Sequence, residues 1–176
     1  MRNPLTTLGQ QTLVLTRRLD RRSETGIARI RGNRSVRTVR QLARAGDGGA
    51  VWILLLLVLG RSRPREAVQA VGALALGAIL VNGPLKRSVD RERPELLDGI
   101  PCQPGGSSFP SGHAFTSWLT VGMLPSNAAL QAGAVTGAGL ISTSRVYLRY
   151  HHLSDVLVGS LLGWATGRLV RRFLSW

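Results

Sequence analysis

The sequence predicts an all-α fold: a polytopic helical membrane protein of about five transmembrane helices, preceded by a basic amphipathic N-terminal helix. Three observations predict it. Uncharged runs at 48–60, 67–85, 114–144 and 156–167 lie between clumps of basic residues, and a soluble domain's helices would carry a polar face there. No alternation of period two persists anywhere. The 176 residues carry a net charge of +14, which calls for an anionic partner such as lipid, nucleic acid or a phosphate substrate. The mean hydropathy is a modest +0.08, because the basic N-terminal part dilutes the apolar runs.

Residues 1–44 hold eleven arginines against two acids, Asp20 and Glu24. We take them as a basic N-terminal segment, and 45–176 as the membrane-embedded domain. Residues 5–15 are too polar for a secretory signal core. A helix is predicted over 27–44, with Ile27, Ile30, Val36, Val39 and Leu42 near one side. Arg34, Arg37, Arg40 and Arg44 line an adjacent side. That composition suits a helix lying on anionic headgroups; a solvated basic arm is the alternative.

The first span is predicted at 45–60, and the RSRPR turn separates it from the second at 66–85. A polar connection rich in Pro, Gly and charge runs from 86 to 110. Pro125 breaks the long apolar run into helices at 111–124 and 127–149, with Ser126 or Asn127 as the cap of the second. The last helix runs over 154–173. A full span takes about 20 apolar residues, and some of these runs are shorter. Gly133-x3-Gly137 and Gly159-x3-Gly163 put small residues one turn apart, a device for close helix approach in lipid.

Composition excludes several classes. At 44% hydrophobic residues the chain is no disordered tail. One cysteine, Cys102, excludes a disulfide framework and a cysteine-based zinc cluster. Three histidines and nine acids leave little for a metal cage.

Three stretches carry candidate chemistry. In KRSVDRERP, Lys86 is the one lysine among 23 basic residues, and Arg93 follows seven residues later. Seven residues are close to two helical turns, so both cations can face one point and clamp a phosphate; a snorkelling basic cluster is the alternative. Pro110-Ser111-Gly112-His113 opens an apolar helix. Free N–H groups at a helix N-terminus attract phosphate oxygens, glycine lets an anion approach the backbone, and the imidazole can pass a proton near neutral pH. In SRVYLRYHHLSD, Asp155 lies four residues after His151 and three after His152. A carboxylate one turn on can accept an imidazole N–H and leave the other ring nitrogen free to attack. From spacing alone either histidine fits.

In order these stretches read K-x6-R-P, P-S-G-H and S-R-x5-H-x3-D. The combination resembles the type-2 phosphatidic acid phosphatase family, which shares a superfamily with bacterial acid phosphatases and vanadium haloperoxidases. Lys86, Arg93, Pro94, Pro110, Ser111, Gly112, His113, Ser144, Arg145, His151 and Asp155 all match its signature. The resemblance implies a metal-independent phosphatase without cofactor, acting on a phosphomonoester or pyrophosphate. It implies that His151, rather than His152, attacks phosphorus, that Asp155 orients it, and that His113 protonates the leaving oxygen. Lys86, Arg93, Ser111, Gly112 and Arg145 would hold the phosphate oxygens. The brevity of the chain and its arginine bias resemble small bacterial members acting on polyprenyl-linked phosphates; phosphatidic acid, phosphatidylglycerol phosphate, undecaprenyl pyrophosphate and a prenyl-phosphoribose phosphate are the candidate substrates.

Two other readings are weighed. A vanadate-dependent haloperoxidase would use the same residues, but those enzymes are typically large and soluble. A nucleic-acid binder fits the charge but not the uncharged runs or the shortage of aromatics. With five spans all three motifs fall on one membrane face. The positive-inside rule is split, and the resemblance leans to an extracytoplasmic site in an inner-membrane protein with its C-terminus inside.

Overall fold

The computed structural model describes residues 4–30, 32–95 and 105–175. Cys102, in the loop between the first two motifs, lies outside them. The described residues fold into helices joined by turns: α1 (Pro4–Ile30), α2 (Asn33–Ala45), α3 (Ala50–Leu59), α4 (Pro64–Leu80), the short α5 (Lys86–Ser88), α6 (Gly112–Met123), α7 (Ala128–Tyr147) and α8 (Leu153–Val170). Helices α3, α4, α6, α7 and α8 stand where the five apolar helices were expected.

Helix α6 is the centre, and most of its side chains are buried. Its longest contact is with α8, and glycine makes it possible. A Cβ on Gly159 would meet the Ser111 carbonyl oxygen at 2.6 Å, and one on Gly163 or Gly167 would overlap the carbonyl oxygen of Phe115 or Leu119. The three glycines are spaced four apart, as are Ser111, Phe115 and Leu119, so two helical faces meet backbone to backbone. The other glycine pair behaves differently. Gly133 faces open space, and Gly137 reaches only the Trp52 ring at 3.4 Å. The expected close approach there is absent, because neither position meets another helix's backbone.

Leu56, Leu74, Leu119, Met123, Ala138 and Ile141 form the core between α3, α4, α6 and α7. Indole N–H groups cross-link it: Trp52 donates to Ser117 Oγ at 2.9 Å and Trp118 to Ser142 Oγ at 3.2 Å. Asn127 caps α7, accepting from the Leu130 N–H at 2.9 Å. The outward faces stay apolar: Leu54 and Leu57 on α3, Leu76 and Ile79 on α4, Leu157 and Leu161 on α8 are exposed. Among the described residues one helical run, Pro64–Ser88, is long and apolar enough to cross a membrane by itself.

The helix predicted over 27–44 is two helices. α1 runs to Ile30, and α2 begins after Gly32, whose extended backbone (φ −137°, ψ 161°) breaks the run. The Gly32 N–H donates to Ser35 Oγ at 3.0 Å, and that hydroxyl lies 2.6 Å from the Tyr147 hydroxyl. Val36 and Ala43 are buried with Leu148. Part of the apolar side expected to rest on headgroups is covered by the end of α7 instead.

Candidate active site

The three motif stretches converge. Lys86, Arg93, Gly112, His113 and His151 line one cavity of about 330 Å³. Ile53, Leu74, Ala75 and Ala78 give the same cavity apolar lining. Lys86 reaches it because α4 widens into a π-helical turn over Val81–Leu85, with Pro84 inside, before α5 starts. Such insertions re-aim the side chains that follow.

Arg93 is held as a plane by carbonyls of two loops. Its Nε donates to Gly106 O at 3.1 Å, and its Nη atoms donate to Ser107 O at 3.2 Å and to Tyr150 O. Burial pushes its pKa below the ordinary arginine value, yet arginine stays charged at working pH. A Cβ on Gly112 would meet Asn82 Oδ1 at 2.5 Å, so any larger residue there would displace the Asn82 side chain. Ser111 is fully buried. Its Oγ faces the Ala114 N–H at 3.5 Å, and its own N–H donates to the Asp155 carbonyl at 3.1 Å. The second motif is thereby stitched to the start of α8.

His151 is 3% exposed. Its Nδ1 lies 2.6 Å from the Ser108 carbonyl oxygen, which can only accept, so Nδ1 carries the proton and the lone pair sits on Nε2. Burial, then the charges of Arg93 and Lys86, hold its pKa well below the usual 6.5; the ring is neutral at physiological pH.

The expected His151–Asp155 hydrogen bond is not made. Asp155 Oδ2 is 3.9 Å from Nδ1. The carboxylate is already engaged, with Oδ1 accepting from Arg91 at 2.5 Å and Oδ2 from the His152 N–H at 2.9 Å. Asp155 therefore sets the loop and the field around His151, while Ser108 fixes the tautomer. The His152 ring is turned elsewhere: Nδ1 is 2.9 Å from Glu24 Oε1 and Nε2 is 3.3 Å from the Glu92 carbonyl.

His113 and Arg145 meet at a residue the motifs do not contain. Asp47 Oδ1 lies 3.2 Å from His113 Nε2 and 3.3 Å from an Arg145 Nη. The same Nη donates to the Ala43 carbonyl near the end of α2, and Arg145 Nε has no partner among the described residues. Asp47 stands in a turn whose next two residues, Gly48 (φ 62°) and Gly49 (φ 72°), take the left-handed conformation. Its one sequence signal is an isolated acid among glycines, between the basic segment and the first apolar run. Ser108 contributes a backbone carbonyl, which no side-chain pattern can announce. Among the described residues no three His, Cys, Asp or Glu side chains group as a metal site.

The family model described as "PAP2 superfamily" matches residues 66–176. Decaprenylphosphoryl-5-phosphoribose phosphatase from Mycobacterium tuberculosis is 34% identical over 146 residues, covering 76% of this chain and 77% of that protein. The first transmembrane PAP2-type phosphatidylglycerolphosphate phosphatase from Bacillus subtilis superposes with a TM-score of 0.71 at 23% identity, over 96% of this chain and 94% of that one. LpxE from Aquifex aeolicus gives 0.71 at 26% identity, over 85% and 92% of the two chains.

Proposed function

The chain belongs to the PAP2 superfamily, and on that premise we propose that it is an integral membrane phosphatase working through a phosphohistidine at His151. It is a lipid phosphatase of the PAP2 type, a phosphoric monoester hydrolase. The observation that carries the mechanism is the His151 Nδ1 contact with the Ser108 carbonyl at 2.6 Å. It holds the ring in the tautomer whose Nε2 is nucleophilic, at the wall of a cavity shared with Lys86, Arg93 and His113.

In the first half-reaction Nε2 forms a bond to phosphorus while the bond from phosphorus to the lipid alcohol oxygen breaks. His113 gives that oxygen a proton. Lys86, Arg93, Arg145 and the backbone at Ser111 and Gly112 hold the equatorial oxygens, where the transition-state charge sits. Water then attacks the phosphohistidine, His113 takes its proton, and the P–N bond breaks to release inorganic phosphate. Asp155 supports the nucleophile loop, and Asp47 orients the His113 ring.

The apolar lining of the cavity suits a lipid chain, and the Mycobacterium tuberculosis relative favours a polyprenyl-linked sugar phosphate as substrate. The exposed apolar faces of α3, α4, α7 and α8 support five membrane-embedded helices, with the basic 1–44 segment at an anionic surface. The site faces the extracytoplasmic side of the inner membrane. An impermeant maleimide should label Cys102 in intact cells; labelling only after permeabilisation would reverse that orientation.

A phosphate-release screen tests the function. Polyprenyl-phosphoribose phosphate, phosphatidic acid and phosphatidylglycerol phosphate are offered to the detergent-purified protein in excess EDTA. Release from at least one is expected, strongest from the first. His151→Ala and His113→Ala should abolish release while the protein still elutes as folded. His152→Ala should retain most activity.

A further inference from the structure

Outside the PAP2 match, at 66–176, the two acids of the basic segment do something the motifs do not require. They lie one turn apart on α1, at positions 20 and 24. The described arginines of that helix, Arg17, Arg18, Arg21, Arg22 and Arg29, are all exposed, whereas Asp20 is 4% exposed. Asp20 Oδ1 accepts from the Ser154 N–H at 2.9 Å, and Oδ2 accepts from Ser154 Oγ at 2.8 Å and from Arg91 at 2.7 Å. The other Nη of Arg91 donates to Asp155 Oδ1 and, at 2.7 Å, to Ser154 Oγ.

Helix α8 begins with free N–H groups that want acceptors. Its cap residue, His152, sends its own side chain to Glu24. The acceptor for the Ser154 N–H comes from α1, 134 residues away in sequence. Glu24 also pairs with Arg149 at 3.0 Å, and Arg149 has a positive φ of 58° in the turn just before His151. A non-glycine residue holds such a conformation only when its surroundings fix it.

We propose that Asp20 is a positioning residue for the nucleophile loop, acting through Arg91 on Asp155 and through Ser154 on the start of α8. Glu24 assists at Arg149 and His152. The N-terminal segment is thus part of the catalytic apparatus rather than an attachment to the membrane alone. This rests on His151 being the nucleophile.

The test is the steady-state kinetics of Asp20→Asn in the full chain, on the substrate found in the screen. The amide can still accept the Ser154 N–H but carries no charge for Arg91. A charged hydrogen bond of this kind is worth about a tenfold change in rate. The expected result is kcat about tenfold lower, KM unchanged, because no phosphate-holding residue is touched, and a melting temperature within a few degrees of wild type. In an Arg91→Gln background the same substitution should add less than twofold, since the route through Arg91 is already cut and the amide keeps the Ser154 N–H bond. Unchanged kcat, a rise confined to KM, or full additivity with Arg91→Gln would each overturn the proposal. Should Asp20→Asn fail to fold, Glu24→Gln decides: a smaller kcat loss at constant KM supports it, and wild-type kinetics would leave α1 a mere brace and overturn it. His151→Ala runs alongside. If that variant still turns over, the site assignment itself has failed; if it is dead while Asp20→Asn is normal, only this inference has.

Discussion

Helix α8 is held on two sides by opposite means. Against α6 it presents Gly159, Gly163 and Gly167, and the two backbones touch with no polar side chain between them. Against α1 it presents its first turn and the neighbouring loops, where Asp20, Glu24, Arg91 and Arg149 exchange charges. The glycine contact is close-packed and has one geometry, since a misfit of one methyl overlaps backbone. The charged contact depends on screening, protonation and side-chain rotamers. One interface sets where α8 stands in the bundle, and the other sets the orientation of the loop that carries His151.

Breaking the first interface should have the largest effect. Gly163→Leu would drive a side chain into the Phe115 carbonyl, and no folded protein is expected by size-exclusion chromatography in detergent. Next comes the loop itself. Asp155→Asn keeps the shape but weakens the hold of Arg91, so phosphate release should fall by one to two orders of magnitude without ceasing. If Asp155→Asn matches His151→Ala in severity, the carboxylate does more than support the loop. Asp47→Asn should cost less, roughly tenfold in kcat, because the amide oxygen can still accept from His113.

The pH dependence separates the two interfaces more gently. His151 is held neutral by burial and by Arg93 and Lys86, with its pKa well below 6.5. The limb of kcat/KM due to its protonation should therefore lie well below pH 6.5, and activity should persist under mildly acidic conditions. For Asp20, burial works to raise the pKa, but the Ser154 N–H and Arg91 outweigh it and leave the pKa below 3.8. A lowered folded-state pKa contributes stability that is present above 3.8 and lost as the pH falls through the lower folded value. Melting temperature against pH should show this as a small loss at the acid end, absent in Asp20→Asn. The glycine contact has no titrating group and should show none.

Much was legible in the sequence because it is local or periodic. Charge-free runs marked where α3, α4, α6, α7 and α8 lie, and Pro125 marked the break between α6 and α7; the sequence left the cap of α7 between Ser126 and Asn127, and the structure selects Asn127. Of the motif residues, Lys86, Arg93, Gly112, His113 and His151 line one cavity, while Ser111, Arg145 and Asp155 stand behind it, engaged with other partners. A side-chain pattern of this kind survives in one dimension because each stretch holds its own residues on one turn or one helix start.

Tertiary structure decided the rest, and the reason is the same at each point: the partner is distant in the chain or is not a side chain. Whether a pair of glycines packs depends on which helix lies opposite, so Gly159 and Gly163 do and Gly133 does not. The acceptor for His151 is the carbonyl of Ser108, 43 residues away, and any residue would carry that oxygen. Asp155 one turn on from His151 looked like its partner, but Arg91 and the His152 N–H had already taken the carboxylate. Asp20 and Glu24 read as two stray acids in a basic arm. Only the fold, which lays α1 against the start of α8, gives them a place beside the loop that carries His151.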